Sequence, residues 1–339
     1  MSFLENFTVQ INFSIFKKVF KRVWLSNRTL FFGGIFLMDG ILPLYKERGM
    51  TSNDAVIKCR KIFKTRKIGH SGTLDPKVDG VLPICVGKAT KVVNYLMDSG
   101  KVYKGEITLG FATTTEDLEG EVISKVKLSE PFSDEKINEI LSSFIGDIIQ
   151  VPPIYSAIKV NGKKLYEYAR AGEKVDIPER RVHIEYFKQI FPSKFDKEKG
   201  QQTIYFEVGC GKGTYVRTLA VDVGKKLGVP AVMSDLTRLK SGGFQIGMAK
   251  SLSQLEKLAH ENKLSESLYP IDYAVKDLPR YNLKLEQWKI VKNGGFLPVN
   301  TFKENYDRVN LFYDDRIRCI YQYNEEKNRY QSERMIDLS

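Results

Sequence analysis

A short loop between residues 68 and 83 concentrates polar and conformationally restricted residues. It contains three glycines, two prolines, His70, Asp75 and Asp79, framed by apolar side chains. Because Asp75 precedes Pro76, its backbone is restricted to extended conformations and its carboxylate has a defined direction. This composition is typical of a constrained loop that holds polar groups at fixed angles for binding or catalysis.

A dense run of basic residues precedes this loop. An Asp-Pro pair alone indicates only a turn, but a carboxylate beside a basic surface favours a site at which a bound polyanion presents its backbone to that carboxylate. The basic residues are Lys58, Arg60, Lys61, Lys64, Arg66 and Lys67.

The composition of the whole chain agrees with a polyanionic partner. The 339 residues include 53 Lys and Arg against 41 Asp and Glu, a net charge of +12. With 42% hydrophobic and 28% charged residues the chain is a folded globular protein, which excludes general disorder and a fibrous class. The basic balance indicates a nucleic acid or a membrane surface as partner, without deciding between them.

Several cofactor chemistries are disfavoured by residue spacing. The four cysteines include no C-x-x-C pair and the three histidines show no ligand spacing, so we expect no metal site and reduced thiols. Residues 80–88 lack the spacing of a P-loop, and the glycines of residues 209–213 lack that of a dinucleotide fingerprint. We therefore expect no nucleotide cofactor, and read residues 209–213 as a tight strand-to-helix turn that requires positive φ.

Residues 1–37 carry five basic residues against Glu5 alone. They contain no apolar run long enough for a membrane span, and the basic cluster follows an apolar start, unlike a secretory signal. Apolar residues from 15 to 24 recur at helical spacing, which is compatible with a basic amphipathic helix that would bind a membrane surface or a partner. The alternative is that translation begins at Met38; a natural peptide containing Trp24 would exclude it.

From Met38 onward, periodicity predicts strands interleaved with helices. Strands are predicted at residues 102–111 and 203–208, and an insertion of hairpin or loop type at about 151–181. Without a regular βαβ repeat, this order predicts a mixed sheet with helices on its faces, and a boundary near residue 275 precedes a small module of short strands. Helices are predicted after Thr51, Ser133, Thr214 and Ser251, with Gly146 and Gly228 ending the second and third.

An ordered series of motifs resembles the bacterial tRNA pseudouridine synthases that modify uridine 55 in the T loop, the TruB family. Gly69-His-Ser-Gly-Thr-Leu-Asp-Pro76, continued by residues 80–91, is similar to the family signature. At residues 77–79, Lys-Val-Asp departs from a more usual small-residue run, and residues 1–37 have no counterpart. The other matching stretches are residues 39–46, 101–110, 152–169, 212–219 and 236–244.

This resemblance implies an α+β pseudouridine synthase fold, in which helices flank a mixed, mainly antiparallel sheet. It implies a catalytic domain at residues 38–274, with an RNA-gripping insertion at about 150–181. Residues 275–339 would form a small β-rich, PUA-like RNA-binding module, and residues 1–37 an N-terminal extension, which is not translated if translation begins at Met38.

The resemblance assigns three catalytic residues. Asp75 matches the catalytic aspartate, Arg217 the arginine that pairs with it, and Tyr103 the tyrosine that stacks on the target base and takes up the C5 proton. From the residues alone, Tyr103 is equally compatible with the core, and Arg217 reads as a solvated charge on a helix.

Three further residues are assigned to substrate binding. His70 resembles the residue that fills space near the extruded nucleotide, while Tyr215 and Leu236 align with positions that line the uracil pocket. Leu236 alone would be read as a core residue.

The implied activity is the isomerisation of uridine 55 to pseudouridine after base flipping, with tRNA as partner and no cofactor or metal. The same surface could also refold tRNA, as a chaperone would. The alternative is a non-catalytic tRNA-binding or tRNA-folding protein; the joint presence of Asp75, Tyr103 and Arg217 argues against it. We expect a cytoplasmic monomer without a membrane span.

Overall fold

A computed structural model describes residues 38–339, and the expectations for residues 1–37 lie outside them. The described chain combines a nine-stranded sheet, a five-stranded sheet and two short two-stranded ladders with seven α-helices. The predicted α+β class and the small β-rich C-terminal part are both confirmed.

The strands follow one another along the whole described chain. Their bounds are β1 Gly40–Lys46, β2 Ile68–His70, β3 Asp79–Val86, β4 Lys101–Leu109, β5 Phe111–Thr113, β6 Val122–Lys125, β7 Gly146–Gln150, β8 Lys159–Val160, β9 Lys163–Lys164, β10 Arg180–Asp196, β11 Gln201–Cys210, β12 Ala231–Ser241, β13 Phe244–Gln245, β14 Arg280–Asn282, β15 Leu297–Pro298, β16 Arg308–Tyr313, β17 Arg316–Asn324 and β18 Arg329–Met335.

The helices are short and lie between the strands. Their bounds are α1 Ser52–Ile62, α2 Val93–Asp98, α3 Asp134–Ser142, α4 Leu165–Ala171, α5 Val216–Leu227, α6 Leu252–His260 and α7 Leu285–Lys292. Short 3₁₀ helices cover Gly87–Val92, Ile246–Met248, Leu264–Ser267, Ile271–Val275 and Val299–Thr301.

The nine-stranded sheet has the order β1-β3-β12-β4-β11-β10-β7, with β2 beside β3 and β13 beside β12. Its pairs are antiparallel except for β3 and β12, which run parallel and place Thr237 opposite Asp79 and Arg238 opposite Gly80. At that contact Gly80 has a φ of +117°, and a Cβ there would collide with the Arg238 backbone. The glycine therefore permits the close approach of the strand that follows the Asp75 loop.

The main core lies between this sheet and the helices. Val56 of α1, Ile137 of α3 and Leu219 of α5 pack in one buried cluster with Ile107 of β4 and Phe206 of β11. Burial of these apolar faces, rather than helix propensity, stabilises such short helices.

The five-stranded sheet has the order β14-β16-β17-β18-β15. It does not stand apart from the larger sheet, because Ile320 and Ile336 share a buried cluster with Ile41, Val81 and Phe244. Lys88 adds an ion pair of 2.7 Å to Asp337.

The local predictions for the helix starts are largely confirmed. The hydroxyls of Thr51, Ser133 and Ser251 each accept a hydrogen bond from a backbone N–H in the first turn. The prediction of Thr214 as an N-cap is wrong: its hydroxyl donates to the Gly211 carbonyl, and Tyr215 is the N-cap of α5. The difference has a long-range cause, because Gln150 of β7 bonds both the N–H and the C=O of Tyr215.

The predictions for the glycines are mixed. Gly228 ends α5 in the left-handed conformation as expected. The prediction that Gly146 ends a helix is wrong, since α3 ends at Ser142 and Gly146 begins β7. Within residues 209–213 only Gly213 has a positive φ, +82°. The insertion contains the predicted hairpin, β8 and β9, followed by the unpredicted helix α4.

Candidate active site

Asp75 and Arg217 meet at the centre of the site. The guanidinium Nε lies 3.1 Å from Asp75 Oδ2, and Nη2 donates to Oδ1 at 3.4 Å. The Arg217 side chain is 7% exposed, whereas that of Asp75 remains 37% exposed. Two contacts from a rigid planar group orient the carboxylate and leave part of it open to a ligand.

Other groups hold the arginine in place. Arg217 Nη1 donates to the Thr115 carbonyl and Nη2 to the Tyr155 carbonyl, both at 3.1 Å. Asp117 lies 3.8 Å from Nε as a second acidic neighbour. The loop after β5 and the start of the insertion therefore both contribute to the position of Arg217 on α5.

The surroundings of Asp75 shift its pKa in opposite directions. Burial in the surrounding protein raises the pKa of the carboxyl, Arg217 lowers it, and the charge of Asp117 raises it again. The net pKa lies above the ordinary value of 3.8. A desolvated carboxylate is less stabilised by water and more reactive towards an electrophile.

The loop of Asp75 is anchored by polar groups from the end of β1 and the start of α1. Lys46 is fully buried and its ammonium donates to the carbonyls of Glu47, Met50 and Pro76. The Ser52 hydroxyl bonds both the N–H and the C=O of Leu74. The residues on both sides of Asp75 therefore have fixed backbone positions.

Tyr103 lies on β4, and its side chain belongs to the buried core. Burial raises the pKa of its hydroxyl, the charge of Arg238 lowers it, and the charges of Cys210 and Asp75 raise it. The core interpretation is confirmed, because the ring is packed in the main core. The assignment of Tyr103 to the site stays a prediction, with which the influence of Asp75 on the hydroxyl is compatible.

Tyr215 stands beside this pair, at the N-cap of α5 and two residues before Arg217. Burial raises the pKa of its hydroxyl, and the charge of Asp75 raises it as well. It is half-buried, so part of the ring can face a ligand.

His70 and Leu236 are placed less directly. His70 ends β2, and its Nδ1 accepts a hydrogen bond from the Gly72 N–H at 3.3 Å rather than bonding Asp75. Burial lowers the pKa of His70, as does the charge of Arg238. Leu236 is buried in β12 beside Gly105 of β4, and its assignment to the uracil pocket stays a prediction.

Sequence reasoning missed Asp117, Arg238 and Lys46 as parts of the site. Arg238 is 1% exposed and donates to the carbonyls of Val81, Gly72 and Thr73. These three residues act through backbone carbonyls or through charge at a distance. The spacing of residues in the sequence does not reveal such interactions, so the sequence signal for them is weak.

Three negative findings concern the part of the chain that the structure describes. Between residues 38 and 339, no three His, Cys, Asp or Glu side chains are grouped so that they could hold a metal ion. No helix within the same range has the length and apolarity needed to cross a membrane. The four cysteines are buried and unpaired.

Comparison with known proteins gives consistent matches. Residues 60–216 match the family described as TruB family pseudouridylate synthase (N terminal domain), and residues 217–276 match the tRNA pseudouridylate synthase B C-terminal domain. Over 302 residues, covering 89% of this chain and 100% of the relative, the sequence is 98% identical to tRNA pseudouridine synthase B of Ligilactobacillus salivarius (strain UCC118). The protein of the same name from Pediococcus pentosaceus is 56% identical over 299 residues, 88% of this chain and 99% of the relative.

Two solved structures share the fold of this chain. A chain in the crystal structure of a Cbf5-Nop10-Gar1 complex superimposes with a TM-score of 0.65 and 26% identity, over 89% of this chain and 84% of that chain. A chain of an H/ACA RNP bound to a substrate RNA containing 2′-deoxyuridine shares the fold, with a TM-score of 0.64 over 88% of this chain and 85% of that chain, at 24% identity.

The mixed sheet and the family matches define a pseudouridylate synthase, an isomerase. Within that class, the chain belongs to the TruB family, as the resemblance of its motifs predicted.

Proposed function

We propose that this enzyme converts uridine 55 in the T loop of tRNA into pseudouridine. The observation that carries the proposal is the Asp75 carboxylate, held by two contacts to Arg217 and still partly exposed. The names of the similar proteins support tRNA as the substrate.

The reaction exchanges one bond to the ribose for another. The bond from uracil N1 to C1′ breaks, the base turns, a bond from C5 to C1′ forms, the C5 proton leaves and N1 gains a proton. No electrons are exchanged with a cofactor and no water is consumed. Asp75 acts in its ionised form at the sugar, and Arg217 favours that form and keeps the carboxylate aligned.

Tyr103 stacks on the flipped base and takes up the C5 proton in this proposal. That role requires the ionised oxygen, which burial disfavours and the nearby charge of Arg238 favours. Tyr215 and Leu236 line the uracil pocket, and His70 fills space beside the extruded nucleotide.

Binding of the T loop must supply the cost of flipping a base, a few kcal/mol. The basic run at residues 58–67 lies immediately before β2 and the Asp75 loop. In the insertion, Lys163 lies 4.7 Å from the centre of the Tyr168 ring and Arg170 5.3 Å from that of Tyr166. Cations beside aromatic faces suit an RNA backbone with unstacked bases, and the five-stranded sheet adds a second RNA contact.

We propose that the enzyme acts as a cytoplasmic monomer.

The test uses the purified chain and an unmodified tRNA transcript. Pseudouridine is mapped by chemical labelling and primer extension for the wild type, for Asp75→Asn, and for a control, Asp222→Asn, on the same helix as Arg217. We expect product at the T-loop uridine for the wild type and the control, and none for Asp75→Asn with RNA binding retained. Product from Asp75→Asn, or none from the wild type, would overturn the proposal. A chain that binds and refolds tRNA without making product would be a folding protein instead.

A further inference from the structure

We propose that Tyr45, Arg48, Asp79, Asp235 and Thr237, here named the Asp79 cluster, form a positioning network that holds the Asp75 loop against β12. The cluster touches neither Asp75 nor the reacting atoms; it acts through the backbone of the loop. The inference rests on the proposed function, because its test measures the rate of pseudouridine formation.

Asp79 is the centre of the cluster. Its Oδ2 accepts a hydrogen bond from the Tyr45 hydroxyl at 2.7 Å, and its Oδ1 accepts one from the Thr237 hydroxyl at 2.6 Å. Arg48 Nη2 lies 3.3 Å from the same Oδ1. The Asp79 side chain is only 15% exposed. Burial raises the pKa of this carboxyl, but the bonds from Thr237, Tyr45 and Arg48 outweigh that influence and lower it, so Asp79 is held ionised.

Arg48 connects the cluster to a second carboxylate on β12. Its Nη1 lies 2.6 Å from Asp235 Oδ1. Asp235 and Thr237 are the neighbours of Leu236 in the sequence, so the cluster holds β12 on both sides of a residue assigned to the uracil pocket. It therefore ties one wall of the proposed pocket to the loop that carries the catalytic carboxylate.

The loop between Asp75 and Asp79 is short and is held at both ends. The Val78 N–H donates to the Asp75 carbonyl at 3.1 Å, which closes a turn over residues 75–78. The Gly49 N–H donates to the Pro76 carbonyl at 2.9 Å near the start of the turn, while Tyr45 and Arg48 bind Asp79 at its end. Residues 45–49 therefore brace the whole turn, and a shift of Asp79 would be transmitted over four residues to Asp75.

Misplacement of a catalytic group by 1 Å can cost about 100-fold in rate. We therefore expect Asp79→Ala to lower the single-turnover rate of pseudouridine formation by about 10- to 100-fold, while the Kd for tRNA changes by less than about twofold. Tyr45→Phe and Thr237→Val each delete one hydroxyl, and each should slow the reaction by a smaller factor. Asp79→Asn, which keeps one acceptor oxygen, should recover part of the rate lost in Asp79→Ala.

A matched control separates positioning from simple stabilisation. Asp134 also accepts bonds from two side chains, Gln189 and Ser193, but lies at the start of α3, facing β10. Asp134→Ala should lower the thermal midpoint without changing the single-turnover rate at 25 °C. If Asp79→Ala does not fold, Tyr45→Phe and Thr237→Val decide the question.

The outcomes are distinguishable from a failure of the proposed function. If the wild type forms no pseudouridine in tRNA, the proposed function fails. If the wild type is active and all folded cluster variants react as fast as the wild type, losing only thermal stability, the positioning role is overturned.

Discussion

Arg238 lies directly opposite Tyr103 in the antiparallel pair of β12 and β4. Arg238 is almost fully buried, and within residues 38–339 its guanidinium has no carboxylate at ion-pair distance. Its N–H groups bond the carbonyls of Val81, Gly72 and Thr73 instead. One buried cation therefore both holds the loop before Asp75 and lies beside the proposed proton acceptor.

Removal of the Arg238 guanidinium should destabilise the folded protein. Arg238→Gln leaves buried carbonyls without donors, each at about 1–3 kcal/mol, so we expect the free energy of unfolding to fall by about 2–5 kcal/mol. Arg238→Lys keeps the charge and at least one bond and should lose less. Urea denaturation at pH 7 measures both, and equal stability of Arg238→Gln and the wild type would contradict the assignment.

Arg217→Lys should lower the rate of pseudouridine formation by at least about 100-fold. A single ammonium can replace the charge but not the planar group that contacts both oxygens of Asp75 and the carbonyls of Thr115 and Tyr155. Single-turnover assays with saturating enzyme measure the rate without a contribution from RNA affinity. An equally large loss in the exposed control Lys225→Arg, on the same helix, would point to a general defect of α5 instead.

The pH dependence of the rate should report the ionisation of Asp75. Because burial raises its pKa above the ordinary value, activity should fall with decreasing pH at a higher pH than for an unperturbed aspartate. Arg217 lowers this pKa, so in Arg217→Gln the acidic limb should move to still higher pH. A pH–rate profile of the residual activity tests the shift; an unmoved limb would mean that another group controls the rate.

Lys46 should make stability depend on alkaline pH. Burial lowers the pKa of its ammonium to about 8 in the folded protein, from the ordinary 10.5. Between these values the unfolded chain binds more protons than the folded chain, so Lys46 makes folding more favourable as the pH rises through that range.

The measurement compares the wild type with Lys46→Met. From pH 7.5 to 9.5 the wild type should gain about 1–2 kcal/mol of unfolding free energy relative to the variant. Lys61→Met, at an exposed position on α1, should follow the wild type. Parallel profiles for the wild type and Lys46→Met would show that the lysine titrates normally.

How far the sequence predicted the structure depended on the range of the interactions. Thr51 and Ser251 cap their helices through contacts three residues away, and both were predicted. The prediction of Thr214 as an N-cap was wrong because Gln150, 65 residues from Tyr215 in the sequence, fixes the backbone of Tyr215.

The same distinction applies to the site. From its helix alone, Arg217 is predicted to be a solvated charge. In the structure it is nearly buried, because Asp75, Thr115 and Tyr155 contact it. The pairing with Asp75 was predictable only from the resemblance of the motifs. The Asp79 cluster was not predictable, since Arg48, just after β1, and Asp235 of β12 are separated by 187 residues and meet only because β3 pairs with both β1 and β12.

The buried cluster shared by the two sheets has a consequence for the order of folding. Ile41, near the start of the described chain, and Ile336, near its end, pack in the same apolar cluster. Contacts between residues so distant in sequence require closure of a very large loop, and such contacts form slowly. The joint between the sheets should therefore be among the last parts of the molecule to assemble, long after the local hairpins, and a nascent chain that has not yet extended to Ile336 would leave apolar surface beside Ile41, Val81 and Phe244 open to chaperones.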